Sequence, residues 1–354
     1  MKYIKQLDAV RAIAVLLVIS SHWLFFLDFI HDLPLGEIGV DIFFVLSGFL
    51  ITKILLDSRI KSEATDVPKK NVIKNFYARR ALRIFPIYYL TLFVLLIFHN
   101  YTDTGIHAAF AYFISYTQNL YFFKLGAWDG LLSPFWSLAV EEQFYLIWPF
   151  IILFVNKKYL LPVIISFIIM GIASQSLMTG FKMSSVLTIT CFQALGAGAL
   201  LSWIITFKPK FLKKAFPVMS TIALLAVILI LIPHVPVTTR AFVSIITFWL
   251  ISYILLYHDS EKLKFKFILN NKILIFLGKI SYGLYLYHTL VPQLITSKVI
   301  DIYLNPYLPN FIYKEHWGEL FLFENAVCLL LLAWLSYKFI ELPFLKLKNK
   351  FKQA

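Results

Sequence analysis

The sequence of 354 residues is poor in cysteine and in charge. Its two cysteines, Cys191 and Cys328, both lie in apolar segments, so a disulfide is not expected and a cysteine-based metal cluster is excluded. Only 15% of the residues are charged and 60% are hydrophobic, whereas soluble domains are about 25% charged. The mean hydropathy is +0.78. These deficits argue against a soluble protein and indicate a membrane protein.

Basic residues are scarce in every second loop, and this scarcity indicates the topology. With the N-terminus in the cytoplasm, the six cytoplasmic segments hold 24 lysines and arginines and the five external segments hold five. Because these residues favour the cytoplasmic side, we expect an all-α polytopic membrane protein with both termini cytoplasmic. About ten spans of roughly 20 residues are predicted. They are 7–29, 38–56, 82–99, 136–155, 160–178, 184–206, 215–232, 239–257, 273–295 and 317–340.

The sequence also lacks features of other protein classes. In a soluble protein, the net charge of +14 would suggest binding to nucleic acid. Here the basic residues lie in short loops between spans, so the charge reflects the membrane topology. No cleavage site follows the first apolar segment, so no cleavable signal is expected. The absence of an internal repeat disfavours a transporter built from inverted halves. We expect one transmembrane domain over residues 1–345 and a basic cytoplasmic tail over residues 346–354.

Ionisable residues inside the spans mark candidate sites, because charge within a membrane is costly. In the first span, Asp8 and Arg11 are i,i+3 and can pair near the cytoplasmic end. His22 lies eleven residues after Arg11, so both side chains point the same way, about 16 Å apart along the helix. A structural ion pair, with a histidine packed at the external interface, explains this pattern equally well.

Three arginines, Arg79, Arg80 and Arg83, precede the third span. Arg79 and Arg83 are i,i+4 and share a helix face. Guanidinium groups bind phosphate through paired, charge-assisted hydrogen bonds, so this cluster suits a polyphosphate ligand at the cytosolic mouth of the bundle. Anchoring to lipid head groups is the alternative interpretation.

Two adjacent carboxyl groups, Glu141 and Glu142, lie about one turn into the fourth span. Ser137, Glu141 and Tyr145 form an i,i+4 stripe. Adjacent side chains diverge on a helix, so we expect one carboxyl to face the bundle and the other to pair or to contact water. A buried carboxyl could act as an acid or base, or could orient an imidazole.

Two further motifs combine polar residues with apolar spans. Ser281, Tyr285 and His288 share a stripe of the ninth span, with His288 at a depth similar to that of His22. An external aromatic belt is the alternative. The second span carries Asp41 between glycines that permit close helix contact, and we interpret this stretch as mainly architectural.

Together these motifs closely resemble the acyltransferase-3 family of membrane acyltransferases. The resemblance extends from residue 7 to residue 343, and six motifs in order make it specific. The motifs are Leu7-Asp8-x-x-Arg11 with His22, the run 39–49, Arg79-Arg80-x-x-Arg83-Ile84-x-Pro86, the run 136–145, Ser281-Tyr282-Gly283-x-Tyr285-x-x-His288 and Glu341-x-Pro343.

The resemblance implies transfer of an acyl group, usually acetyl, from cytosolic acyl-CoA to a hydroxyl of a surface polysaccharide. The expected acceptor is O-antigen, capsule or exopolysaccharide, and the expected location is the bacterial cytoplasmic (inner) membrane. Some members carry an extra SGNH esterase-like domain, and this chain resembles the stand-alone form. The His-x4-Asp pattern of soluble glycerolipid acyltransferases and the Gly-x-Ser-x-Gly elbow are absent from the sequence.

The resemblance also implies roles for individual residues. His22 is expected to act as general base, or less readily as a transient acyl carrier, with Glu141 or Glu142 orienting it. The side chains expected to hold the phosphates of acetyl-CoA are Arg11, Arg79, Arg80 and Arg83. Candidate contacts with the substrate or the oxyanion are Asp8, Asp41, Ser281, Tyr282, Tyr285 and His288. No metal ion is expected.

Two other interpretations stay open at this point. A polysaccharide exporter would also combine ten spans with intramembrane charges. An acyltransferase could instead modify a lipid, sterol, antibiotic or peptidoglycan. The expected partners are acyl-CoA, a glycan or lipid-linked glycan and membrane lipids, without nucleic acid. The aromatic-rich segment 100–135 could stack on sugar rings, lie at the external interface or fold back into the bundle.

Overall fold

The computed structural model describes residues 3–24, 26–28, 33–102, 104–230, 232, 238–260, 263–307, 309 and 316–351. Within these ranges the chain is helical and contains no strand, which confirms the expected all-α fold. The end of the predicted basic tail, residues 352–354, lies outside the described residues.

Seventeen α-helices are described within these ranges. In chain order they are α1 (Gln6–Trp23), α2 (Leu35–Thr65), α3 (Lys69–Ile97), α4 (His99–Thr102), α5 (Ile106–Ile114), α6 (Gln118–Leu125), α7 (Phe135–Phe154), α8 (Lys157–Leu177), α9 (Thr188–Phe207), α10 (Pro209–Ile230), α11 (Thr239–Tyr257), α12 (Lys266–Leu269), α13 (Lys272–Lys279), α14 (Ser281–Tyr287), α15 (Asp301–Tyr303), α16 (Trp317–Ser336) and α17 (Leu342–Leu347). Stretches of π-helix occupy Val291–Ile300 and Tyr337–Glu341.

Eight helical stretches in the described part of the chain are long and apolar enough to cross a bilayer. They contain α2, α3, α7, α8, α9, α10, α11 and α16, and they correspond to eight of the ten predicted spans. The protein is therefore an integral membrane protein. The first and ninth predicted spans differ from the expectation, and the count of ten stays a prediction.

The first predicted span is a buried helix rather than one that faces lipid. α1 ends at Trp23 instead of residue 29, and it carries Asp8, Arg11 and His22. It packs against α2, α11, α13 and α14, and Ala12 is fully buried. A helix that is surrounded by protein can carry charges, because its polar groups meet other side chains and not hydrocarbon.

The ninth predicted span is broken into α13, α14 and the π-helical stretch Val291–Ile300. At the start of this region, a Cβ built on Gly278 would lie 1.8 Å from the backbone oxygen of Asp8. Only glycine therefore allows α13 to cross α1 this closely. The interruption places α14, with its serine and tyrosines, against α1.

A second close helix crossing joins α2 to α9. A Cβ on Gly48 would lie 2.0 Å from the backbone oxygen of Leu195, and one on Gly198 would lie 2.0 Å from that of Val45. The backbones of α2 and α9 are thus in direct contact, as small residues permit between membrane helices. Ser47, next to Gly48, is held in a fixed position by this crossing.

Part of the aromatic-rich segment 100–135 packs onto the bundle, while its position relative to the membrane interface and its stacking on sugar rings stay predictions. Phe113, Phe122 and Leu131 are fully buried. The Gln118 side chain is also buried and donates a hydrogen bond to the Phe135 carbonyl oxygen at 2.7 Å, at the start of α7. The segment therefore covers the end of the bundle at which α7 begins.

Candidate active site

Three cavities follow one another along the bundle. The inner cavity, of about 630 Å³, is lined by Ile54, Leu55, Ser58, Val72, Asn75, Phe76, Arg79, Arg80, Arg83 and Lys348. The middle cavity, of about 870 Å³, is lined by Arg11, Val40, Phe43, Phe44, Leu46, Ser47, Leu50, Ile51, Arg80, Arg83, Ile84, Ser137, Leu138, Glu141, Glu142, Tyr145, Ser281, Tyr282 and Tyr285. The outer cavity, of about 1430 Å³, is lined by Val18, Ser21, His22, Leu24, Leu33, Pro34, Gly36, Glu37, Val40, Trp128, Gly130, Ser133, Pro134, Trp136, Ser185, Arg240 and Tyr285.

Neighbouring cavities share wall residues. Arg80 and Arg83 line both the inner and the middle cavity. Val40 and Tyr285 line both the middle and the outer cavity. The three cavities therefore lie in series between the basic end of the bundle and the end that carries His22.

The inner cavity is basic, and its arginines lie where the sequence grouped them. The Arg80 guanidinium lies 5.7 Å from the centroid of the Phe76 ring and 5.5 Å from that of the Tyr145 ring, distances at which a cation is attracted to an aromatic face. Arg79 donates a hydrogen bond to the carbonyl oxygen of Phe351 at 3.0 Å. Lys348 also lines this cavity, and it was not singled out from the sequence, where it is one of several lysines in the basic tail.

Asp8 and Arg11 form the predicted ion pair, with Arg11 Nη1 2.5 Å from Asp8 Oδ1. The Tyr3 hydroxyl also donates to Asp8. Arg11 lines the middle cavity, whereas Asp8 lines none of the three cavities in the described part of the chain. Asp8 is therefore engaged by Arg11 and Tyr3, and its contact with a substrate stays a prediction.

Both carboxyl groups of α7 line the middle cavity, although only one was expected to face the bundle. Glu141 accepts hydrogen bonds from the Ser47 hydroxyl and the Tyr145 hydroxyl, each at 2.7 Å. Glu142 and Arg80 interact electrostatically, and the buried Glu142 Oε1 has no hydrogen-bond partner among the described residues. The middle cavity is lined by residues of both α2 and α3, so the two adjacent carboxyl groups can line it from different directions. The sequence analysis missed Ser47.

Two imidazoles lie side by side at the boundary of the outer cavity. The rings of His22 and His288 have centroids 5.0 Å apart and are inclined at 59°. His288 Nδ1 lies 2.6 Å from the Tyr285 carbonyl oxygen, which can only accept, so Nδ1 carries a proton and donates. The buried His288 Nε2 has no hydrogen-bond partner within the described ranges.

The expected hydrogen bond between Glu141 and His22 is not found among the residues that the structure describes. Glu141 lines the middle cavity and His22 lines the outer one. The side chain that contacts His22 is instead His288, whose backbone oxygen accepts a hydrogen bond from Trp23 Nε1 at 2.8 Å. The structure therefore places the His288 ring beside the His22 ring.

The polar face of α14 supplies three residues to the middle cavity, Ser281, Tyr282 and Tyr285. The Tyr285 hydroxyl lies 2.6 Å from Ser137 Oγ and donates to the Pro134 carbonyl oxygen at 3.0 Å. The Tyr282 hydroxyl donates to the Ile84 carbonyl oxygen at 3.2 Å. Of the two tyrosines, only Tyr285 also lines the outer cavity, so it lies at the junction.

Asp41 forms a buried ion pair and does not line any of the three cavities among the described residues. Arg240 Nε donates to Asp41 Oδ1 at 2.6 Å, and its other nitrogens donate to the carbonyl oxygens of Thr190 and Ser185. The pair joins α2 to α11. Asp41 therefore has a structural partner, in agreement with the architectural interpretation of this stretch, and its contact with a substrate stays a prediction. Arg240 was not singled out from the sequence.

A search of the described residues finds no group of three or more histidine, cysteine, aspartate or glutamate side chains that could hold a metal ion. The residues that line the path are cations at one end, carboxylates and hydroxyls in the middle, and an imidazole at the other end. This arrangement suits an anionic ligand at the inner end and acid–base chemistry at the outer end.

Comparison with known proteins finds relatives of similar sequence, among them the following three. The peptidoglycan O-acetyltransferase OatA of Listeria monocytogenes is 33% identical over 98% of this chain and 56% of its own length. A Staphylococcus aureus protein, SACOL0978, whose name assigns it provisionally as an O-acetyltransferase, is 29% identical over 98% of this chain and 58% of its own length. YrhL of Bacillus subtilis, provisionally named a peptidoglycan O-acetyltransferase, is 38% identical over 42% of this chain and 23% of its own length.

The chain thus spans little more than half the length of the first two curated relatives. No solved structure matches it. The family model described as an acyltransferase domain matches residues 4–337, which include α1 to α16 and nearly every residue of the three cavities. On this match, the chain belongs to the acyltransferase-3 family of membrane proteins.

Proposed function

We propose that the protein is an O-acetyltransferase of the bacterial cytoplasmic membrane. It takes an acetyl group from cytosolic acetyl-CoA and transfers it to a hydroxyl of a glycan on the other side of the membrane. A single transmembrane domain with both termini in the cytoplasm carries the reaction. The observation that carries the proposal is the series of cavities that leads from the arginines to His22.

The inner end of the path suits the nucleotide part of acetyl-CoA. Phosphate groups bind best to guanidinium and ammonium groups that are presented together. Arg79, Arg80, Arg83 and Lys348 meet in the inner cavity, and Arg11 continues this charge into the middle cavity. The phosphates bind to these cations, and the pantetheine arm extends through the middle cavity towards Tyr285. Arg11 and His22 are about 16 Å apart along α1, so the arm bridges the two ends.

The transfer step takes place where the middle and outer cavities meet. His22 removes the proton of the acceptor hydroxyl while the hydroxyl oxygen attacks the thioester carbonyl carbon. The Tyr285 hydroxyl, which donates to the Pro134 carbonyl oxygen, donates to the developing oxyanion in its place. The carbon–sulfur bond then breaks, and the departing thiolate receives the proton that His22 accepted. His288 positions the His22 ring and does not itself contact the substrate.

The acceptor is a bacterial glycan. Peptidoglycan is the first candidate, because two of the relatives carry that substrate in their names. O-antigen, capsule and exopolysaccharide offer the same chemistry, a sugar hydroxyl outside the cytoplasm. The experiment below therefore examines both kinds of glycan from the same cells.

Mass spectrometry of peptidoglycan and of surface polysaccharide tests the proposal. Cells that lack the protein are complemented with wild type, with His22→Ala or with His99→Ala, a control histidine outside the three cavities. We expect an acetyl-mass increment on one glycan with wild type and with His99→Ala, and none with His22→Ala at equal membrane abundance.

Two outcomes would contradict the proposal. Acetylation that persists with His22→Ala would remove the general-base assignment. Glycans that never carry the increment, together with less glycan at the cell surface when the protein is missing, would indicate an exporter and no acyl transfer.

A further inference from the structure

We infer that the outer cavity holds one sugar ring of the acceptor and that Trp128 provides the face on which this ring stacks. The inference rests on the proposed function, because the glycan acceptor is itself proposed. It adds a binding subsite and a residue that the transfer mechanism does not use. Trp128 belongs to the segment that folds back over the end of the bundle, and it lines the outer cavity together with His22.

Trp128 is exposed but firmly supported. Half of its surface, 50%, is accessible, whereas Phe113 and Phe122 of the same segment are fully buried. Its ring centroid lies 5.7 Å from that of Phe122, which is fully buried, and 6.5 Å from that of Trp136. Trp136 also lines the cavity, and the two indoles are inclined at 44°. The exposed indole is therefore a preorganised surface.

The turn around Trp128 is fixed by its backbone and by a carboxylate. Gly126 and Gly130 have φ of +68° and +44°, a conformation that glycine adopts without strain. The Asp129 carboxylate accepts hydrogen bonds from the Gly105 backbone nitrogen at 3.1 Å and from the Tyr121 hydroxyl at 3.1 Å. These bonds tie the turn to α5 and α6, and they hold the indole at the cavity wall.

The chemistry of the outer cavity matches a sugar better than a lipid chain. A pyranose ring has an apolar face of C–H groups and a rim of hydroxyls. The indole suits the apolar face, while Glu37, Ser133 and Ser185 offer oxygen partners for the rim. A hydrocarbon chain would displace water from the Glu37 carboxylate without replacing its hydrogen bonds, which costs free energy. A ring stacked on Trp128 lies in the same cavity as His22, which is the group that must reach one of its hydroxyls.

Direct binding to the purified full-length chain tests this inference without relying on transfer. The probes are glycan fragments from cells that lack the protein, labelled at the reducing end, and acetyl-CoA, each measured by equilibrium dialysis. We expect Trp128→Ala to weaken fragment binding about tenfold, the order expected when one aromatic contact is lost. Trp128→Phe should recover part of the loss, and acetyl-CoA binding should be unchanged.

Trp317→Ala is the matched control. Trp317 is also exposed, at 42%, and stacks on Phe321, but it lines none of the three cavities among the described residues. We expect this variant to bind fragments like wild type. Equal fragment binding by Trp128→Ala and wild type would overturn the inference, and so would no fragment binding by wild type or a parallel loss of acetyl-CoA binding.

The same preparations separate this inference from the proposed function. If wild type binds fragments through Trp128 but transfers no acetyl group from acetyl-CoA, the proposed reaction fails and the sugar subsite stands. If wild type transfers acetyl groups and Trp128→Ala does so with an unchanged KM for the fragments, the reaction stands and the subsite is refuted.

Discussion

Arg83 provides the sharpest test of donor binding, because removing it breaks no internal hydrogen bond. It lines both the inner and the middle cavity, and it interacts electrostatically with Glu141 and Glu341, while the hydrogen bonds found among the described residues do not include it. Its donors are therefore available to a phosphate. A hydrogen bond to a charged group contributes roughly 1.5–3 kcal/mol. We expect Arg83→Ala to raise the KM for acetyl-CoA by about tenfold to a hundredfold, since 1.4 kcal/mol corresponds to a factor of ten.

Proteoliposomes with radiolabelled acetyl-CoA provide the assay, and kcat and KM are measured separately. Arg83→Lys keeps the charge but loses paired donation, so its KM should lie between those of wild type and Arg83→Ala. Lys210→Ala removes an exposed cation outside the inner cavity and should leave KM unchanged. Acetyl-dephospho-CoA lacks the 3′-phosphate and shows which phosphate Arg83 contacts. If Arg83 contacts the 3′-phosphate, Arg83→Ala should change the KM for this analogue less than it changes the KM for acetyl-CoA. An unchanged KM for acetyl-CoA in Arg83→Ala would refute phosphate binding at this position.

Three further predictions concern stability. Gly48→Val should abolish accumulation of folded protein in membranes, because its Cβ would lie 2.0 Å from the Leu195 backbone oxygen; normal yield would contradict the α2–α9 contact. Asp41→Ala should destabilise the protein by about 3–5 kcal/mol by leaving the buried charge of Arg240 unpaired, and thermal unfolding in detergent measures it; an unchanged midpoint would show that the pair is dispensable. Arg59→Ala removes the hydrogen bonds that Arg59 donates to the carbonyl oxygens of Ile152 and Val155, at 2.6 and 2.8 Å. The unfolding midpoint should therefore fall, while the KM for acetyl-CoA stays within twofold, roughly the scatter of a neutral change. A changed KM without destabilisation would contradict this structural role.

The sequence predicted most of the fold because the membrane imposes simple requirements on length and hydropathy. Eight predicted spans match helices of the structure. The two that differ, α1 and the region that begins with α13, are those that pack most closely against other helices near Asp8 and Gly278. Hydropathy measures compatibility with lipid, so it describes poorly a helix whose neighbours are protein.

The candidate site was predicted in part. The spacing of the arginines and of Asp8 with Arg11 follows helical geometry, and the structure agrees with it. Contacts between distant segments could not be read in this way. Ser47 meets Glu141 across 94 positions of the chain, and Lys348 meets the arginines of α3 through the C-terminal helix. The spacing of residues within one helix carries no information about which residue of another helix they contact.

By itself the sequence determined that this chain is helical and membrane-embedded, which of its loops are basic, and which ionisable residues recur at helical spacing. These properties depend on local periodicity and on transfer of side chains from water to lipid, and both can be read residue by residue. Only the tertiary structure decided that His288 and not Glu141 lies beside His22, that Asp41 is engaged by Arg240, and that three cavities lie in series. The reason is that each of these depends on how close two helices approach and how they are rotated, and that depends on packing between residues far apart in the chain.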